Sequence, residues 1–196
     1  MILWQYLNDF LNLLPYRQRH KRKNDIRATL SQRRRILSNE KVKLGSQEVV
    51  EQLLQNHFFI NAKNIMLYYP MKNEIDLRTL MQPTQGKRFF LPVTHRRSLE
   101  VREYIGEQNL KKGRHRIPEP QTPSYKGKLD LIIVPGVGFD HHNHRLGRGG
   151  GYYDRFLRKY RHVPKIGVGY KFQLVRDIPT DKHDVQMTQV VLSTSV

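Results

Sequence analysis

The amino-acid sequence predicts one α/β domain with a mostly parallel or mixed twisted sheet flanked by helices, a three-layer arrangement of the Rossmann-like type. Three observations predict it. The 196 residues suffice for a single sizeable core. Short apolar runs alternate along the chain with segments of helical periodicity, which is typical of parallel sheets. The run at residues 129–134 is mostly apolar, as expected for a strand covered on both faces.

Two helices are predicted before the first strand. Ile26, Leu30 and Leu37 recur at roughly helical spacing after Asn24, which is suited to the N-cap position. A second helix is predicted for residues 46–56, whose apolar side chains share one face: Val49, Val50, Leu53 and Leu54. A third is expected over residues 152–160, directly after a glycine-rich segment.

The strands are predicted from short apolar or alternating runs that end at turn residues. Pro70 closes the run at residues 65–69 and Pro92 closes the run at residues 88–91, because proline cannot donate to a strand ladder. The other predicted strands cover residues 99–105, 129–134, 166–169 and 190–192.

The composition restricts the class of protein and its partners. The sequence contains no cysteine, which excludes a disulfide scaffold and a thiolate site and agrees with a reducing, cytoplasmic location. The 35 basic and 17 acidic side chains give a formal net charge of +18. Such an excess attracts polyanions, including nucleotides, nucleic acid and polyglutamylated small molecules.

Residues 1–20 are interpreted as an N-terminal extension that precedes a single α/β domain at residues 21–196. Residues 1–14 contain Asn8, Asp9 and Asn12 and no basic residue, so the pattern of a secretory signal is missing. The segment is also too short and too polar to span a bilayer. No interaction with a membrane is therefore expected.

A glycine-rich loop precedes the third predicted helix and contains Gly147, Gly149, Gly150 and Gly151. Such a loop permits positive φ angles, and the helix start offers free N–H donors, so phosphate is its natural ligand. Arg145 and Arg148 flank the loop with fork-shaped donors that match phosphate oxygens. Asp154, one turn into the helix, can reach a metal ion carried by the phosphates. A tight strand-to-helix turn without a ligand is the alternative interpretation.

Other common site patterns are excluded or fit poorly. No Lys-Ser or Lys-Thr follows the glycines, which excludes a Walker A loop. A dinucleotide fingerprint also fits poorly, because no ribose-binding acid stands at the usual distance from a first-strand glycine turn. His141, His142 and His144 are loop neighbours without the spacing of a metal-ligand set, so a metal site is not expected there.

The segment at residues 139–157 reads FDHHNHRLGRGGGYYDRFL and is the most informative of the chain. Its core has the pattern RLG, any residue, G, any residue, GYYD, formed by Arg145, Leu146, Gly147, Gly149, Gly151, Tyr152, Tyr153 and Asp154. This pattern closely resembles the signature of the 5-formyltetrahydrofolate cyclo-ligase family. Asn143 and His144 depart from it, because a glycine and often an aromatic residue are common at those positions.

Three further motifs agree with that family in order and spacing. Lys23 and Arg27 resemble its early Lys-x-x-x-Arg, and Arg34 and Ser38 follow. The later matches are Tyr69, Pro70, Glu74, Ile75 and Asp76 in one segment, and Gln173, Pro179, His183 and Asp184 in another. The resemblance covers residues 21–192.

The resemblance implies a reaction and a set of site residues. The implied enzyme converts 5-formyltetrahydrofolate, with or without a polyglutamate tail, and ATP into 5,10-methenyltetrahydrofolate, ADP and phosphate, with Mg²⁺ as cofactor. Arg145 is the implied catalytic residue, and Asp154 and Asp184 are the implied metal ligands. The implied ATP-binding residues are Lys23, Arg27, Arg145, Leu146, Gly147, Arg148, Gly149, Gly150, Gly151, Tyr152 and Tyr153. The implied substrate-binding residues are Arg27, Tyr69, Glu74, Arg148, Gly149, Gly150, Gly151 and Tyr152.

Without the resemblance, the same residues fit ordinary structural roles. Lys23 is equally typical of a solvated basic run, and Asp154 and Asp184 of surface carboxylates. A basic nucleic-acid-binding module is the alternative function, favoured by the cations clustered at residues 17–35. That alternative explains neither Glu74 nor Asp154, and no specific nucleic-acid partner is expected.

Overall fold

A six-stranded sheet forms the centre of the fold. The structure, a computed structural model, describes residues 15–82, 86–113 and 116–196. Its strands are β1 (Asn64–Met66), β2 (Arg88–His95), β3 (Ser98–Glu103), β4 (Leu110–Lys112), β5 (Pro118–Pro120), β6 (Leu131–Pro135), β7 (Gly138–Asp140), β8 (Arg145–Leu146), β9 (Lys165–Gly169), β10 (Leu174–Val175) and β11 (Gln189–Leu192). The central order is β11-β9-β6-β1-β2-β3, and every pair is parallel except β2 with β3.

Helices flank this sheet. They are α1 (Tyr16–Arg35), α2 (Asn39–Leu54), α3 (His57–Asn61) and α4 (Tyr152–Leu157), and α4 continues as one 3₁₀ turn, Arg158–Tyr160. In the part of the chain that the structure describes, no helix is long and apolar enough to cross a bilayer. The proposed extension at residues 1–20 falls largely outside the described residues, and α1 runs without a break through the rest of it.

Two apolar clusters lie on opposite faces of the sheet. Successive strand side chains point to opposite faces, so Ile65 joins one cluster and Met66 the other. The first cluster also contains Val49 and Leu53 of α2, and the second contains Phe156 of α4. This confirms the predicted layering of helices, sheet and helices.

The predicted starts of the first two helices were wrong. α1 begins at Tyr16 rather than after Asn24. The positive charges of Arg19 and Lys23 in its first turns are compensated by Asp181, which is too distant in the chain to appear in a local pattern. α2 begins at Asn39, seven residues before the predicted Ser46, because Ser38 accepts the Lys41 N–H at 3.3 Å as N-cap.

Gly45 lies inside α2, where glycine normally weakens a helix. A Cβ there would come within 2.8 Å of the Tyr170 ring, so the helix approaches the sheet closely only with glycine at this position. A glycine at this position counts against a helix in the sequence pattern, and the packing that requires it is visible only in the structure.

The boundaries of two strands also differ from the predicted ones. β2 continues through Pro92 to His95, although the sequence predicted an end before that proline. β1 pairs with β2 only as far as Phe90, so Pro92 lies beyond the doubly paired part of the strand, where its missing N–H removes no β1 bond. β1 itself ends at Met66, three residues before the predicted Tyr69.

Five short strands were not predicted. β4 pairs with β5, and β7 lies between β10 and β8 in a second small sheet. Each has two or three residues, too few for a periodic pattern. They position the segments around the carboxyl ends of the central strands.

Candidate active site

A cavity of about 380 Å³ opens near the carboxyl ends of the central strands. Glu74 reaches it from the segment after β1, and Gly136 from the segment after β6. Pro92 of β2 and Leu99 of β3 form part of a further wall. Ligands of open α/β sheets bind at this edge, so the cavity is the candidate active site.

The predicted phosphate loop, residues 147–151, lies between β8 and α4 and borders this cavity. Gly149 has φ +98° and Gly151 has φ +63°, both in the left-handed region that favours glycine. Gly147, Gly150 and Gly151 line the cavity, whereas Gly149 lies against Arg27. α4 has only 6 residues, so the loop backbone contributes more to an anion site than a helix dipole does.

Arg155, which the sequence analysis missed, fixes the shape of this loop. Its Nη2 donates to the Gly150 carbonyl at 2.8 Å and its Nε to the Arg97 carbonyl, also at 2.8 Å. Its guanidinium lies 5.3 Å from the centre of the Tyr152 ring. The loop is thereby tied to the β2–β3 turn, a contact between distant segments that no local motif signals.

Arg145 is a buried cation at the cavity, with a side chain 3% exposed. Nη2 donates to Asp154 Oδ1 at 3.0 Å, and the guanidinium lies 5.4 Å from the centre of the Tyr153 ring. Arg145 Nε is buried and has no acceptor among the described residues. A buried donor without an acceptor is suited to an anionic ligand.

Asp154 and Tyr153 also line the cavity. Asp154 Oδ1 accepts from Arg145, and Oδ2 accepts no hydrogen bond from the described residues. Burial raises the pKa of Tyr153 far above its ordinary value, so this phenol stays neutral. Leu146, by contrast, is a buried residue of β8 and does not line the cavity.

Arg27 joins the loop to helix α1. Its Nε donates to the Gly147 carbonyl at 2.8 Å and its Nη1 to Asn24 Oδ1 at 2.7 Å. Burial lowers the pKa of Arg27, while the charges of Asp184 and Asp154 act in the opposite direction. The charges of both predicted metal ligands, Asp154 and Asp184, thus affect the pKa of Arg27.

Lys23 is buried and bonded to two carboxylates. Its Nζ lies 2.7 Å from Asp181 Oδ2 and 2.6 Å from Asp184 Oδ2. Burial acts to raise the pKa of Asp181, but the bonds from Lys23 and Arg19 outweigh it and lower that pKa overall. Asp184 does not line the main cavity; it borders a separate depression beside Arg158.

Glu74 is a buried carboxylate held by two arginines. Arg148 Nη2 of the glycine loop donates to Glu74 Oε1 at 2.7 Å, and Arg34 Nη1 of α1 lies 3.5 Å from the same oxygen. The Met71 N–H donates to Oε2 at 3.0 Å. Burial lowers the pKa of Arg34, against the charge of Glu74. The resemblance pointed to Glu74 and Arg148, but their direct pairing is visible only in three dimensions.

The two predicted aromatic residues, Tyr69 and Tyr152, line the cavity. Tyr69 donates its hydroxyl to Glu107 Oε2 at 3.3 Å, and Arg78 lies 5.7 Å from the centre of its ring. Each ring thus has a guanidinium against one face: Arg78 for Tyr69 and Arg155 for Tyr152.

One wall of the cavity escaped the sequence analysis entirely. It contains Thr94, Ile117 and Glu119 from β2, the β4–β5 turn and β5. Glu119 lies between Pro118 and Pro120, outside every predicted strand, although these three residues form β5. The acid between two prolines is the one local signal in the sequence that marks this segment.

The histidines of the loop before β8 have a structural role. His144 Nδ1 lies 2.9 Å from Asp140 Oδ2, and the same carboxylate accepts the N–H groups of His142 and Ile178. Among the residues that the structure describes, no three carboxylate, histidine or cysteine side chains are placed to hold a metal ion. Asn143 has φ +62°, a conformation that asparagine tolerates, so the departure from the family pattern leaves the turn intact.

Comparison with known proteins decides the family. Residues 19–193 match the profile of the 5-formyltetrahydrofolate cyclo-ligase family. The chain belongs to the 5-formyltetrahydrofolate cyclo-ligase family. The resemblance predicted from the glycine-rich loop is thereby confirmed, and with it the prediction of an enzyme of folate metabolism.

Members of this family from distant organisms are similar to the chain over most of its length. The 5-formyltetrahydrofolate cyclo-ligase of Escherichia coli K12 is 31% identical over 178 residues, covering 85% of this chain and 98% of its own. The enzyme of that name from Mus musculus is 30% identical over 191 residues, covering 88% and 94%.

Solved structures agree with this family assignment and with the fold. The 5,10-methenyltetrahydrofolate synthetase of Aquifex aeolicus has a TM-score of 0.78 at 32% identity and covers 87% of this chain and 89% of its own. The synthetase of Mycoplasma pneumoniae has a TM-score of 0.70 at 28% identity and covers 86% and 97%.

Proposed function

We propose that the protein catalyses the ATP-dependent cyclisation of 5-formyltetrahydrofolate to 5,10-methenyltetrahydrofolate, with release of ADP and phosphate. One observation carries the proposal: the loop with the family signature lines the same cavity as Arg145, Glu74 and the two tyrosines. The names of the relatives support the substrate and product.

The chemistry requires activation of a poor leaving group. The formyl oxygen attacks the γ-phosphorus of ATP, the bond to the leaving phosphate oxygen breaks, and ADP departs. The N10 amine then attacks the activated formyl carbon and forms the new C–N bond. N10 loses its proton, and the former formyl oxygen leaves as phosphate. Phosphoryl transfer of this kind depends mainly on alignment and on positive charge around the transferred group.

Arg145 is the proposed catalytic residue because it is the most deeply buried guanidinium at the cavity. Its unbonded Nε and its low exposure suit it to the charge that develops on the transferred phosphoryl group. Arg27, Arg148 and the N–H groups of the loop are proposed to hold the remaining phosphate oxygens. Lys23 uses two of its three N–H donors on Asp181 and Asp184, which leaves one for ATP. Leu146 of β8 and Tyr153, which lines the cavity, would complete the proposed nucleotide site.

Mg²⁺ fits the residues present. Asp154 and Asp184 each keep one carboxylate oxygen that accepts no hydrogen bond from the described residues. Protein-bound Mg²⁺ uses one or two carboxylates together with phosphate oxygens and water, so Asp154 at the cavity, with or without Asp184 beside Lys23, is a ligand of the type that the ion uses. When bound, the ion would supply positive charge to the ATP phosphates. Asp154 and Asp184 are the proposed ligands.

The folate is proposed to occupy the part of the cavity beside Glu74, Tyr69 and Tyr152, where flat rings can stack on a pterin. Glu74 lies next to Arg148 and would therefore contact the substrate near the phosphate loop. The net charge of +18 suits a polyanionic substrate, so a polyglutamate tail should strengthen binding. A cytoplasmic location remains a prediction; one similar enzyme, from Arabidopsis thaliana, carries the name of a mitochondrial form.

An absorbance assay for methenyl-folate tests the proposal. Purified protein with 5-formyltetrahydrofolate, ATP and Mg²⁺ should form the product, and omission of ATP should abolish it. Asp154→Asn should lower the rate, with partial recovery as the Mg²⁺ concentration rises, because a neutral ligand binds the ion more weakly. Asp25→Asn, the same change at an exposed position of α1, is the matched control and should behave as wild type.

Two results would contradict these assignments. No product from folded wild-type protein would refute the proposed reaction. An Asp154→Asn variant equal to wild type at every Mg²⁺ concentration would remove Asp154 from the metal site. Binding of nucleic acid that weakens with Mg²⁺, in protein without ligase activity, would favour the basic-module alternative.

A further inference from the structure

Glu119 is a third carboxylate in the wall of the candidate active site, beside Glu74 and Asp154, and no motif of the glycine loop includes it. It is the middle residue of β5 and is 9% exposed. Its neighbours in the cavity wall include the apolar side chains of Pro92, Leu99 and Ile117. A carboxylate among apolar side chains is costly unless a partner satisfies it, which makes its position informative.

Glu119 differs in its charge partners from Glu74 and Asp154, the other two carboxylates that line the cavity. Asp154 is paired with Arg145. Glu74 lies beside both Arg148 and Arg34, so its charge is already compensated. Within residues 15–82, 86–113 and 116–196, no lysine, arginine or histidine nitrogen lies within 4.0 Å of Glu119. The Thr94 backbone N–H donates to Glu119 Oε1 at 3.1 Å and is its neutral partner. Unlike Glu74 and Asp154, Glu119 therefore has no cationic partner among the described residues and can accept further N–H donors from a ligand.

Local packing holds the Glu119 carboxylate in one place. Thr94 fixes Oε1, and Gly113 lies against the other end of the group. A Cβ at Gly113 would overlap Glu119 Oε2 and Cδ, so the carboxylate fills the space that a side chain at residue 113 would take. Gly113 does not have a positive φ, so the absence of a side chain serves this contact and not the backbone.

We propose that Glu119 is a specificity-determining residue that accepts hydrogen bonds from the aminopyrimidinone edge of the pterin. This inference rests on the proposed function, because it takes 5-formyltetrahydrofolate as the ligand. That edge presents a ring N–H and an exocyclic amino group side by side, a pair of parallel donors that matches the two oxygens of a carboxylate. The apolar neighbours of Glu119 suit the flat ring that carries these donors.

The same assignment orients the substrate. The formyl group is on the other ring of the pteridine, at the end away from the aminopyrimidinone edge. Glu119 contacts Thr94 and Gly113, whereas Glu74 is bonded to Arg148 of the glycine loop. With the amino edge at Glu119, the proposal places the formyl end of the pteridine near Glu74 and the loop where the ATP phosphates are proposed to bind. Glu119 thus selects the heterocycle, and Glu74 lies near the reacting end.

Two variants and one control test the role of Glu119. Glu119→Gln places an amide N–H₂ against the ligand donors, and Gly113→Ala pushes the carboxylate aside while keeping it in the protein. Each should raise KM for 5-formyltetrahydrofolate by about tenfold or more, the usual effect of losing a charged hydrogen bond, with KM for ATP within about twofold. Glu51→Gln, the same chemical change on the exposed face of α2, should alter neither constant. Thermal unfolding of each variant establishes that it is folded.

A substrate analogue separates contact from an indirect effect. An analogue of 5-formyltetrahydrofolate with hydrogen in place of the 2-amino group should have a raised KM with wild type, and the increase should be much smaller with Glu119→Gln. Equal increases in both proteins would overturn the proposal, as would an unchanged folate KM in both folded variants. Absence of activity in wild type would instead refute the proposed reaction, so the two failures are distinguishable.

Discussion

Arg145 combines three features: burial, a carboxylate partner and an unbonded donor. Its side chain is 3% exposed and bonded to Asp154, and its Nε lacks an acceptor among the described residues. A buried guanidinium keeps its charge, so an anion that enters the cavity meets a fixed positive group that needs no reorganisation. These features favour a role in the reaction over one in stability alone.

Arg145→Ala should therefore lower kcat more than it raises KM for ATP. Loss of a donor that stabilises charge in the transition state typically costs about 3 kcal/mol, roughly a hundredfold in rate. Steady-state kinetics with ATP varied would measure both constants, with Arg22→Ala on the exposed face of α1 as control. A kcat within about threefold of wild type would leave Arg145 as a structural ion pair.

At the scale of the element, the loop at residues 147–151 depends on backbone conformation. Gly149 has φ +98° and no close neighbours other than Arg27, 3.8 Å from the position of an added Cβ. A side chain there is thus limited by backbone strain and by whatever ligand approaches the loop. Gly86, which does not line the cavity, also has a positive φ of +85°, and no described residue apart from its chain neighbours lies within 4 Å of an added Cβ there.

Comparison of Gly149→Val with Gly86→Val separates ligand binding from strain. Both changes should lower the melting temperature by similar, small amounts, because both place a side chain at positive φ, at a cost of about 1–2 kcal/mol. Only Gly149→Val should weaken ATP binding severely, since phosphate approaches the backbone there. Calorimetric titration with ATP measures the difference; equal ATP affinity in the two folded variants would refute a phosphate role for this loop.

At the scale of the whole molecule, the excess of positive charge is the dominant electrostatic feature. The formal net charge is +18 on 196 residues. Some cations are paired internally, as Lys23 is with Asp181 and Asp184, but exposed ones such as Arg17, Lys21 and Arg22 add to a common positive potential. Repulsion among these charges opposes the compact state, and the positive potential that they create attracts anionic ligands to the protein.

Moderate salt should consequently stabilise the folded protein. Between about 0.01 M and about 0.1 M NaCl the Debye length falls from about 30 Å to about 10 Å, which screens repulsion across the molecule. The melting temperature should rise over that range, and KM for an anionic folate should rise as well because its attraction is screened. KCl is the control for ion-specific effects. A melting temperature that falls with salt would show that attractive ion pairs outweigh the repulsion.

The sequence indicated the site through one dense motif and several sparse ones. Glycines, arginines and an aspartate within residues 145–154 form a local pattern, so residues close together in the chain suffice to predict a phosphate site in this loop. Glu119 gave almost no signal, because its significance depends on Thr94 and Gly113, which the β4–β5 pairing brings to it. Lys23 was similarly ambiguous, since its carboxylate partner Asp181 is 158 residues away.

The sequence by itself determined the layers, the parallel sheet and the family, and it predicted a phosphate-binding role for the glycine loop. Each depends on periodicity or on closely spaced residue types, which act over a few positions of the chain. Tertiary structure alone decided where α1 and α2 begin, that Arg148 pairs with Glu74, and which wall closes the cavity. Those features arise from ion pairs and packing between distant segments, whose energies exist only after the sheet has brought the segments together.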